Sequence, residues 1–459
     1  MTAQFLIGCG AGFSGDRTDA PIPVVRELVR RGGPSAIFFE TLGERTLALA
    51  QLRRLEDPGE GHEPLLEELL RPVLADCLAA DIAVIGNFGA ANPEGAARRI
   101  AGLCAAAGVP DVPIGVVEGD EVTALVQAGN MTPVGIDASL HDRPLICANA
   151  YLGAGPLMAA LAQGARILVT GRVADPSLVV APLAHHFGWD ALDSGRMATA
   201  TLAGHLLECG SQVTGGYFAD PGWKEVSDPQ SIGFPIAEVT ADGGLTIGKP
   251  AETGGLVSEA TVKEQLLYEI HDPSSYLTPD VTLDMTGVTV RAEGPDRVAV
   301  FGARGRARPE RLKVTVSVDG GYIGEGEISY AGPNALARAR LALDVLAQRV
   351  PQHLRLRRDL IGYRSVFADE GADEGAGFPE SEDVRARIAV ESDSAREAEA
   401  AVREVVALLC CGPAGGGGAR IQVRRRVHTW SATAARADVD AGVRVRVAPA
   451  RRWQEAPHD

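Results

Sequence analysis

Short apolar runs alternate with amphipathic stretches over roughly the first 180 residues of the chain. Continuous apolar runs of this length predict strands that are buried on both faces. They fall at Phe5–Cys9, Ala36–Glu40, Ile82–Asn87, Pro113–Val117, Leu145–Asn149 and Arg166–Thr170. The stretches between them predict helices at Pro21–Arg31, Leu47–Leu55, Leu65–Ala80, Pro93–Ala107, Gly119–Ala128 and Pro156–Gln163. This alternation predicts an α/β fold with a mostly parallel sheet and helices on both of its faces.

The pattern changes in the second half of the chain. Short strands separated by turns predict a β-rich part over about residues 232–330. Farther on, strands are expected at Asp359–Val366 and Val384–Val390, a helix at Ser394–Leu409, and strands at Arg420–Ser431 and Val443–Val447. This order is typical of a ferredoxin-like α+β domain. We therefore expect two domains, residues 1–352 and 353–459, with a mobile acidic loop at Asp369–Asp383.

Composition narrows the class of protein and of partner. The 459 residues are 46% hydrophobic and 23% charged, as in ordinary globular proteins, and the formal net charge is −16. That charge argues against nucleic acid or an anionic membrane as the main partner. We expect a small-molecule substrate and a homo-oligomer. The seven cysteines form no C-x-x-C motif, and neither a signal peptide nor a membrane-spanning run is apparent. A cytoplasmic protein with reduced thiols is expected.

A glycine turn, Gly10–Gly15, follows the first predicted strand and precedes a predicted helix. Backbone amides in such a turn can bind an anion or polarise a carbonyl. The candidate ligand-binding residues here are Gly10, Gly12, Ser14, Gly15 and Arg17. The turn also satisfies G-x-G-x-x-G, and an acid, Glu40, ends the next strand, so a dinucleotide site is one hypothesis. Two prolines after the turn delay the helix, which does not favour that hypothesis. A turn required only for close packing is the third interpretation.

Polar side chains gather immediately after several of the predicted strands. In open α/β sheets, ligands bind outside the carboxyl ends of the strands, so these residues define one candidate rim. They are Glu40, Asn87, Asn92, Glu118, Asp120, Asn149, Arg172 and Asp175. Asn, Asp and Gly also serve as turn and helix-capping residues, which is the alternative for any single loop.

Two further candidates lie outside this rim. His205 shares a helix face with Glu208, a spacing that metal ligation uses, but no second pair of ligands accompanies them and no metal is expected. Near the end of the chain, a run of four glycines could form an anion-binding nest from Gly415 and Gly416 with Arg420 nearby, or could simply end a helix.

Many strings of this sequence resemble the acyclic terpene utilisation AtuA family. They are Gly8–Arg17, Glu40–Thr46, Leu49–Arg53, Gly89–Pro93, Asn149–Gly153, Thr170–Leu178, Gly204–Gly210, Gly215–Pro221, Thr261–Glu269, Gly324–Glu327 and Gly412–Gly418. The resemblance covers nearly the whole chain. It implies a large N-terminal α/β domain followed by a ferredoxin-fold domain, and an association with bacterial breakdown of citronellol-like terpenes and with branched acyl-CoA pathways.

Three functional hypotheses follow. The first is an enzyme that performs proton transfer, a hydration, dehydration or lyase-type step, on a branched or carboxylated acyl substrate, either free or carried by CoA. In it, glycine amides polarise the carbonyl, and Arg17 and Arg172 hold a carboxylate. Glu118, Asp120 and Asp175 are the acid–base candidates, with Glu40 and His205 behind them. The second is an NAD(P)-dependent oxidoreductase. The third is a non-catalytic partner subunit of an acyl-CoA enzyme.

Overall fold

Most of the apolar runs near the N-terminus become strands of one large sheet. The computed structural model describes residues 4–135, 140, 142–366 and 381–455. Its first strands are β1 (Gln4–Ala11), β2 (Ser35–Phe39), β3 (Ala83–Gly86), β4 (Pro113–Glu118), β5 (Met131–Val134), β6 (Leu145–Ala150) and β7 (Ile167–Thr170). The helices between them are α1 (Pro21–Arg31), α2 (Glu44–Glu56), α3 (Leu66–Leu70), α4 (Leu74–Ala79), α5 (Pro93–Ala106), α6 (Thr123–Gln127) and α7 (Ala154–Ala162). Pro72 separates α3 from α4, which the sequence predicts as one helix, because proline cannot donate the helical hydrogen bond.

Helices and several short strands make up the middle of the chain. The helices are α8 (Ser177–Phe187) and α9 (Ser194–Leu207), and α10 (Glu259–Leu267) follows them after the next two strands. The strands are β8 (Ile236–Thr240), β9 (Leu245–Gly248), β10 (Tyr276–Leu277), β11 (Thr282–Asp284), β12 (Thr289–Gly294), β13 (Arg297–Phe301) and β14 (Arg304–Arg306). Ser258 begins α10 with a reciprocal capping box, in which its side chain accepts from the Thr261 amide.

The rest of the chain continues with longer strands. In order these elements are β15 (Arg311–Ala331), α11 (Ala335–Arg349), β16 (Arg355–Ile361), β17 (Asp383–Ser392), α12 (Ala395–Cys411), β18 (Gly417–Ala435), α13 (Arg436–Asp440), β19 (Arg444–Pro449) and α14 (Ala450–Glu455). Most of the predicted acidic loop, residues 369–380 of Asp369–Asp383, lies outside the described residues.

The large sheet is mixed. Its strand order is β12-β13-β9-β8-β1-β2-β3-β7-β4-β19. The central strands β1, β2, β3, β7 and β4 are parallel to their neighbours in this group. Antiparallel strands extend both edges, with β8 next to β1 and β19 next to β4. The expected mostly parallel sheet is therefore limited to these five strands, because part of the β-rich region joins the same sheet.

Two predicted strands pair elsewhere than expected. β6 pairs with β15 and not with the large sheet. β19, which the sequence analysis assigns to the C-terminal domain, pairs with β4 from Arg444↔Glu118 to Pro449↔Pro113. An alternating strand pattern states which face is buried but not which sheet edge supplies the hydrogen bonds.

The chain divides into two compact units. The first comprises residues 1–138, 145–317 and 429–459, and the second comprises residues 139–144 and 318–428. The second unit therefore starts before the expected boundary at 352/353, and the chain returns to the first unit after His428. No helix in the described part of the chain is long and apolar enough to cross a bilayer.

The second unit runs in the order β-α-β-β-α-β. Its strands lie in the order β16-β17-β15-β18, and β17 is antiparallel to both of its neighbours. Helices α11 and α12 pack on β17, and their apolar residues form one buried core with Ile328, Tyr330, Val384 and Ile388. Gly324 and Gly326 of β15 face α12, where a Cβ would lie 3.0 Å from Val402 and 2.8 Å from Val405 respectively.

Packing explains one glycine of the opening turn. A Cβ on Gly12 would lie 2.4 Å from the backbone nitrogen of Gly210 and 2.5 Å from the carbonyl carbon of Cys209. Both contacts are with backbone, which cannot rotate away as a side chain can. The close approach of the glycine turn to residues 209–210 therefore requires glycine at this position.

We expect Gly12→Ala to lower the free energy of unfolding by about 2 kcal/mol, because the methyl group overpacks this contact. Gly102→Ala is the matched control. Gly102 lies in α5, and a Cβ added to it would have no neighbouring atom within 4 Å, so its replacement should be neutral or stabilising by up to about 1 kcal/mol. Urea unfolding of both variants measures the two effects. Equal stability of Gly12→Ala and the wild type would contradict this packing account.

Candidate active site

One cavity of about 600 Å³ lies in the first unit at the carboxyl ends of central strands. Its wall includes residues that follow β1, β2 and β7, where the sequence predicts a rim. These are Gly12, Phe13, Glu40, Leu42, Gly43, Glu44, Arg172, Ala174, Asp175 and Pro176. The remaining wall comes from residues after β6, the end of α9 and the residues that follow it, the segment 268–279, the start of β15 and the end of β18. They include Tyr151, His205, Glu208, Cys209, Gln212, Tyr268, Glu269, Tyr276, Arg311, Lys313 and Thr433.

Arg172 is the central cation of this wall, although only 2% of the residue is exposed. Its guanidinium donates hydrogen bonds to the backbone oxygen of Leu42 and to the carboxylate of Asp175. The guanidinium carbon also lies 4.3 Å from the centre of the Tyr151 ring, a cation–π contact. Arg172 thus connects the residues that follow β7, β2 and β6.

Glu40 is a buried acid held by Asn87. Its Oε1 atom accepts from the Asn87 side chain at 2.9 Å and from the Leu42 amide at 2.8 Å. Burial and the negative charge of Asp175 raise the pKa of Glu40 to about 8, although Arg172 opposes the rise. Asn87 is fully buried, and its Oδ1 atom accepts from the Thr41 amide. This bond orients the Asn87 side chain so that its amide group donates to Glu40.

Asp175 reaches the cavity from the residues after β7. Its side chain is 34% exposed. Burial raises its pKa above the ordinary value, and the neighbouring Arg172 opposes the rise. The sequence analysis identified Glu40, Asp175 and Arg172 separately, and the structure brings all three to one wall.

Tyr151, Glu44 and Lys313 form a polar group beside Arg172. The Tyr151 hydroxyl and the Lys313 ammonium both donate to Oε1 of Glu44, the latter at 3.0 Å. Burial would raise the pKa of Glu44, but Lys313 and Tyr151 together lower it to about 2. Glu44 is therefore ionised at neutral pH.

His205 and Glu208 form a second acid–base pair that lines the cavity. His205 is 1% exposed, and its Nδ1 atom lies 3.1 Å from Oε1 of Glu208. Burial raises the pKa of Glu208 to about 7 against the effect of His205. Burial lowers the pKa of His205, but the hydrogen bond and charge of Glu208 raise it above its ordinary value overall. Among the described residues, no group of three or more His, Cys, Asp or Glu is arranged to hold a metal ion.

The glycine turn is only partly at the cavity. Gly12 and Phe13 line it, but the Gly12 amide donates to Asp16 at 2.8 Å, and the Arg17 amide donates to the same carboxylate. A side chain of the protein therefore already occupies amides that the sequence analysis offers to a ligand. Ser14 and Gly15 follow in the same turn, where Gly15 has φ +94°. These contacts do not support a dinucleotide site.

Two other turn candidates have structural partners. A Cβ on Gly10 would lie 2.4 Å from the Phe39 ring, so this glycine packs against an aromatic side chain. The Arg17 guanidinium pairs with Asp19 at 3.0 Å and donates to the Ile232 backbone oxygen. Neither residue is among those lining the cavity.

Asp120 and Asn149 lie behind the cavity wall. Asp120 accepts from the Asn149 side chain at 2.8 Å and from the Arg172 amide at 2.9 Å. Burial raises the pKa of Asp120 to about 6. Asp120 thereby supports the backbone that carries Arg172 without lining the cavity itself.

Glu118 and Asn92 are also outside the cavity wall. Glu118 lies 3.3 Å from Arg446 of β19, and burial raises its pKa. Asn92 caps α5 by accepting from the Gly95 amide at 3.0 Å and donates to two backbone oxygens. For Asn92 the capping alternative describes the observed contacts.

The C-terminal glycine run belongs to the second unit. A Cβ on Gly416 would lie 3.1 Å from the Tyr330 ring, and Gly415 has φ +72°. Arg420 lies 3.4 Å from Glu327. None of these three residues lines the cavity of the first unit.

Sequence reasoning did not select Glu208, Arg311 or Tyr276 as site residues. The i, i+3 spacing of His205 and Glu208 was a signal for the first of them. Arg311 and Tyr276 come from the β-rich part, more than 100 residues after the loops of the rim, and no local motif marks them.

The buried acid predicts a distinctive pH dependence of stability. Because folding raises the pKa of Glu40 from 4.5 to about 8, its stabilising contribution is complete below its unfolded pKa and is lost as the pH rises through its folded pKa. Glu40→Gln keeps the Oε1 acceptor but does not titrate. We expect the free energy of unfolding of the wild type, minus that of Glu40→Gln, to fall by at least about 2 kcal/mol between about pH 5 and about pH 8.5.

Urea unfolding across this range measures the difference, with Glu238→Gln as control. Arg297 and Arg31 lower the pKa of Glu238 in spite of its burial, so its contribution is lost only as the pH falls below the ordinary range. The corresponding difference for Glu238 should therefore stay constant over the same interval. A constant difference for Glu40 would show that its carboxyl is ionised normally.

Comparison with known proteins agrees with the resemblance of the sequence strings. No curated protein matches the chain. A family model described as acyclic terpene utilisation family protein AtuA matches residues 5–445 of the 459-residue chain. The match includes the loops that line the cavity and extends through the second unit. The chain therefore belongs to the acyclic terpene utilisation AtuA family.

Proposed function

We propose that this chain is an enzyme that transfers a proton on a branched or carboxylated acyl substrate, as a free acid or a CoA thioester. Hydration, dehydration and lyase-type steps are the reactions that such a transfer supports. Membership of the family supports a role in acyclic terpene utilisation. The proposal adds the reaction type and the substrate class.

The observation that carries the proposal is the joint presence of acids with raised pKa and a fixed guanidinium at one cavity. The cavity volume of about 600 Å³ is in the range of small-molecule sites. Glu40 has a pKa of about 8, and the partly exposed Asp175 shares Arg172 with it. An acid–base catalyst works best when its pKa lies near the working pH. Strongly perturbed acids in a cleft are therefore candidates for catalysis.

In this proposal Asp175 exchanges a proton with the substrate, and Glu40 controls its charge. Two neighbouring carboxyl groups cannot both ionise readily, so one proton is retained near neutral pH. Arg172 compensates the remaining negative charge and holds Asp175 in place. Asp120 acts indirectly through the backbone of Arg172, and Glu118 has no role at the cavity.

Arg311 is the proposed anchor for an anionic group of the substrate, in place of Arg17 and Arg172. It donates to the hydroxyls of Thr433 and Thr132, at 2.8 Å and 3.0 Å, and to the Thr433 backbone oxygen. Among the described residues, no carboxylate forms an ion pair with Arg311, whereas Arg17 and Arg172 are both paired with aspartates. An oriented guanidinium with uncompensated charge suits a carboxylate or a phosphate.

For the second unit we propose a ferredoxin-like fold over residues 318–428. The β-α-β-β-α-β order and the strand order β16-β17-β15-β18 support this interpretation. In this interpretation the ferredoxin-like part excludes β19, because β19 pairs with β4 in the large sheet.

We expect Asp175→Asn to lower kcat for the identified substrate by about 100-fold or more, because the amide cannot exchange the proton. Screening branched acyl-CoAs and branched free acids for turnover provides the assay. Asp344→Asn, an exposed change in α11, is the matched control and should retain wild-type kcat. Glu118→Gln tests the alternative that the acid after β4, which lies outside the cavity wall, performs the proton transfer. Loss of turnover in Glu118→Gln with full turnover in Asp175→Asn would contradict the proposed cavity.

We expect Arg311→Met to weaken binding of 3-methylbutanoyl-CoA or 3-methylbutanoate by about 10-fold to 100-fold, since a charge-assisted hydrogen bond is lost. Isothermal titration measures the dissociation constants. Arg308→Met, at a neighbouring exposed arginine, is the control. Equal weakening in both variants would indicate a general charge effect and contradict a specific anchor.

A further inference from the structure

We infer that Glu208 is a second catalytic group, whose Oε2 atom exchanges a proton with the substrate, and that His205 is the positioning residue that holds its Oε1 atom. This inference rests on the proposed proton-transfer function and adds a second acid at the same cavity. It assigns a chemical role to a residue pair that the rim of strand ends does not include.

The hydrogen bonds of His205 determine how the pair can share protons. The Nε2 atom lies 3.3 Å from the Leu266 backbone oxygen, which can only accept, so Nε2 carries a hydrogen. The neutral ring therefore has Nδ1 as an acceptor, and Nδ1 lies 3.1 Å from Oε1 of Glu208. Either Glu208 donates a proton to a neutral ring, or an imidazolium donates to the Glu208 carboxylate. One proton is thus shared along this bond.

A contact between α9 and α10 holds the pair in position. The Gln265 side chain donates to the His205 backbone oxygen at 3.1 Å. The ring of His205 also packs against Tyr276, with ring centres 5.6 Å apart. The imidazole therefore has a fixed orientation before any ligand binds.

The second oxygen of Glu208, Oε2, is one of the buried polar atoms without a hydrogen-bond partner among the described residues. Glu208 also lines the cavity. Leaving a buried carboxylate oxygen without a donor costs free energy, and native proteins rarely do so without a reason. Since Oε2 itself has almost no accessible surface, a ligand in the cavity supplies the missing partner once the wall side chains that cover this oxygen move aside.

The surroundings favour a proton at this position near neutral pH. The acids Asp175 and Glu269 and the thiol of Cys209 face Glu208, together with the Tyr276 hydroxyl. Burial and the negative charges of Asp175 and Glu269 raise the pKa of Glu208 to about 7, and His205 opposes the rise. A carboxyl with this affinity can both accept and return a proton.

The step balances without any other reactant. With His205 as imidazolium and Glu208 as carboxylate, Oε2 takes the proton from the carbon next to the substrate carbonyl. An O–H bond forms, the C–H bond breaks, and its electron pair moves to the carbonyl oxygen as an enolate. The bond from Nδ1 to Oε1 persists throughout, so His205 stabilises the carboxylate before the transfer.

The first measurement tests the pair without a substrate, by the titration of histidine ¹³Cε1 signals. His205 is assigned by the signal lost in His205→Gln. We expect Glu208→Gln to lower the midpoint of His205 by more than about one pH unit, because burial then acts without a compensating carboxylate. Glu63→Gln is the matched control, since Glu63 is also buried, has an unpartnered Oε2 and lies outside this cavity. An unmoved midpoint in Glu208→Gln overturns the inference.

The second measurement tests the catalytic role, by exchange of the α-hydrogens of 3-methylbutanoyl-CoA in D₂O. We expect Glu208→Gln to slow exchange by about 100-fold or more, while Glu63→Gln exchanges at the wild-type rate. In His205→Gln the rate should rise with pH at a higher midpoint, which loss of a merely structural residue would not produce. If Glu208→Gln does not fold, Glu208→Asp replaces it, and shortening the acid should slow exchange by about 10-fold or more.

The outcomes separate this inference from the proposed function. Wild-type exchange rates in Glu208→Gln, together with slow exchange in Asp175→Asn, overturn the role of Glu208 and leave the proposed function intact. Absence of exchange in the wild-type protein, with every acyl-CoA or free acid of the turnover screen, rejects both.

Discussion

The first unit depends on how it accommodates one buried guanidinium. Taking Arg172 out of water is costly unless its charge and its donors are satisfied. Asp175, the Leu42 backbone oxygen and the Tyr151 ring supply most of this compensation from three different parts of the chain. The Nε atom of Arg172 has no hydrogen-bond partner among the described residues. Since those parts must converge for Arg172 to be buried, its burial fixes the positions of the loops after β2, β6 and β7. The cavity is the space that these loops leave between them.

The same arrangement sets the proton affinities of the neighbouring acids. Near Lys313 the carboxylate of Glu44 has a pKa of about 2, whereas burial and the negative charge of Asp175 raise the pKa of Glu40 to about 8. Of these two glutamates, only four residues apart, Glu40 is therefore mainly neutral and Glu44 is ionised at neutral pH. Such separation of acids by their environment is the pattern from which acid and base roles are assigned in enzymes.

Much of the fold could be predicted from local pattern. The runs at Phe5–Cys9 and Ala36–Glu40 are buried strands because continuous apolar runs suit the middle of a sheet. The pairing of β19 with β4 could not be predicted, because the alternation in Val443–Val447 does not specify a sheet edge. The prediction of a single helix over Leu65–Ala80 did not take into account that Pro72 ends one helix before the next begins. The meeting of the loops after β1, β2 and β7 at one cavity could be predicted because parallel strands place their carboxyl ends together.

The contacts of the candidate site residues were harder to predict. The sequence offers Gly12 amides and Arg17 to a ligand, but Asp16 and Asp19 already satisfy them. Both aspartates are visible in the sequence close to the turn, yet only the structure shows that they occupy the groups offered to a ligand. Glu118 and Asp120 are close in sequence to the rim but have partners in β19 and behind Arg172. Glu208 and Arg311 reach the cavity through long-range packing that no local pattern records.

A crystal structure with bound 3-methylbutanoyl-CoA tests the account most directly. The account predicts density for the acyl group between Asp175 and Glu208, with an anionic group of the ligand at Arg311. Density for the acyl group at the Gly415–Gly416 turn, or against Glu118 and Arg446, with the cavity of the first unit filled only by water, would contradict it.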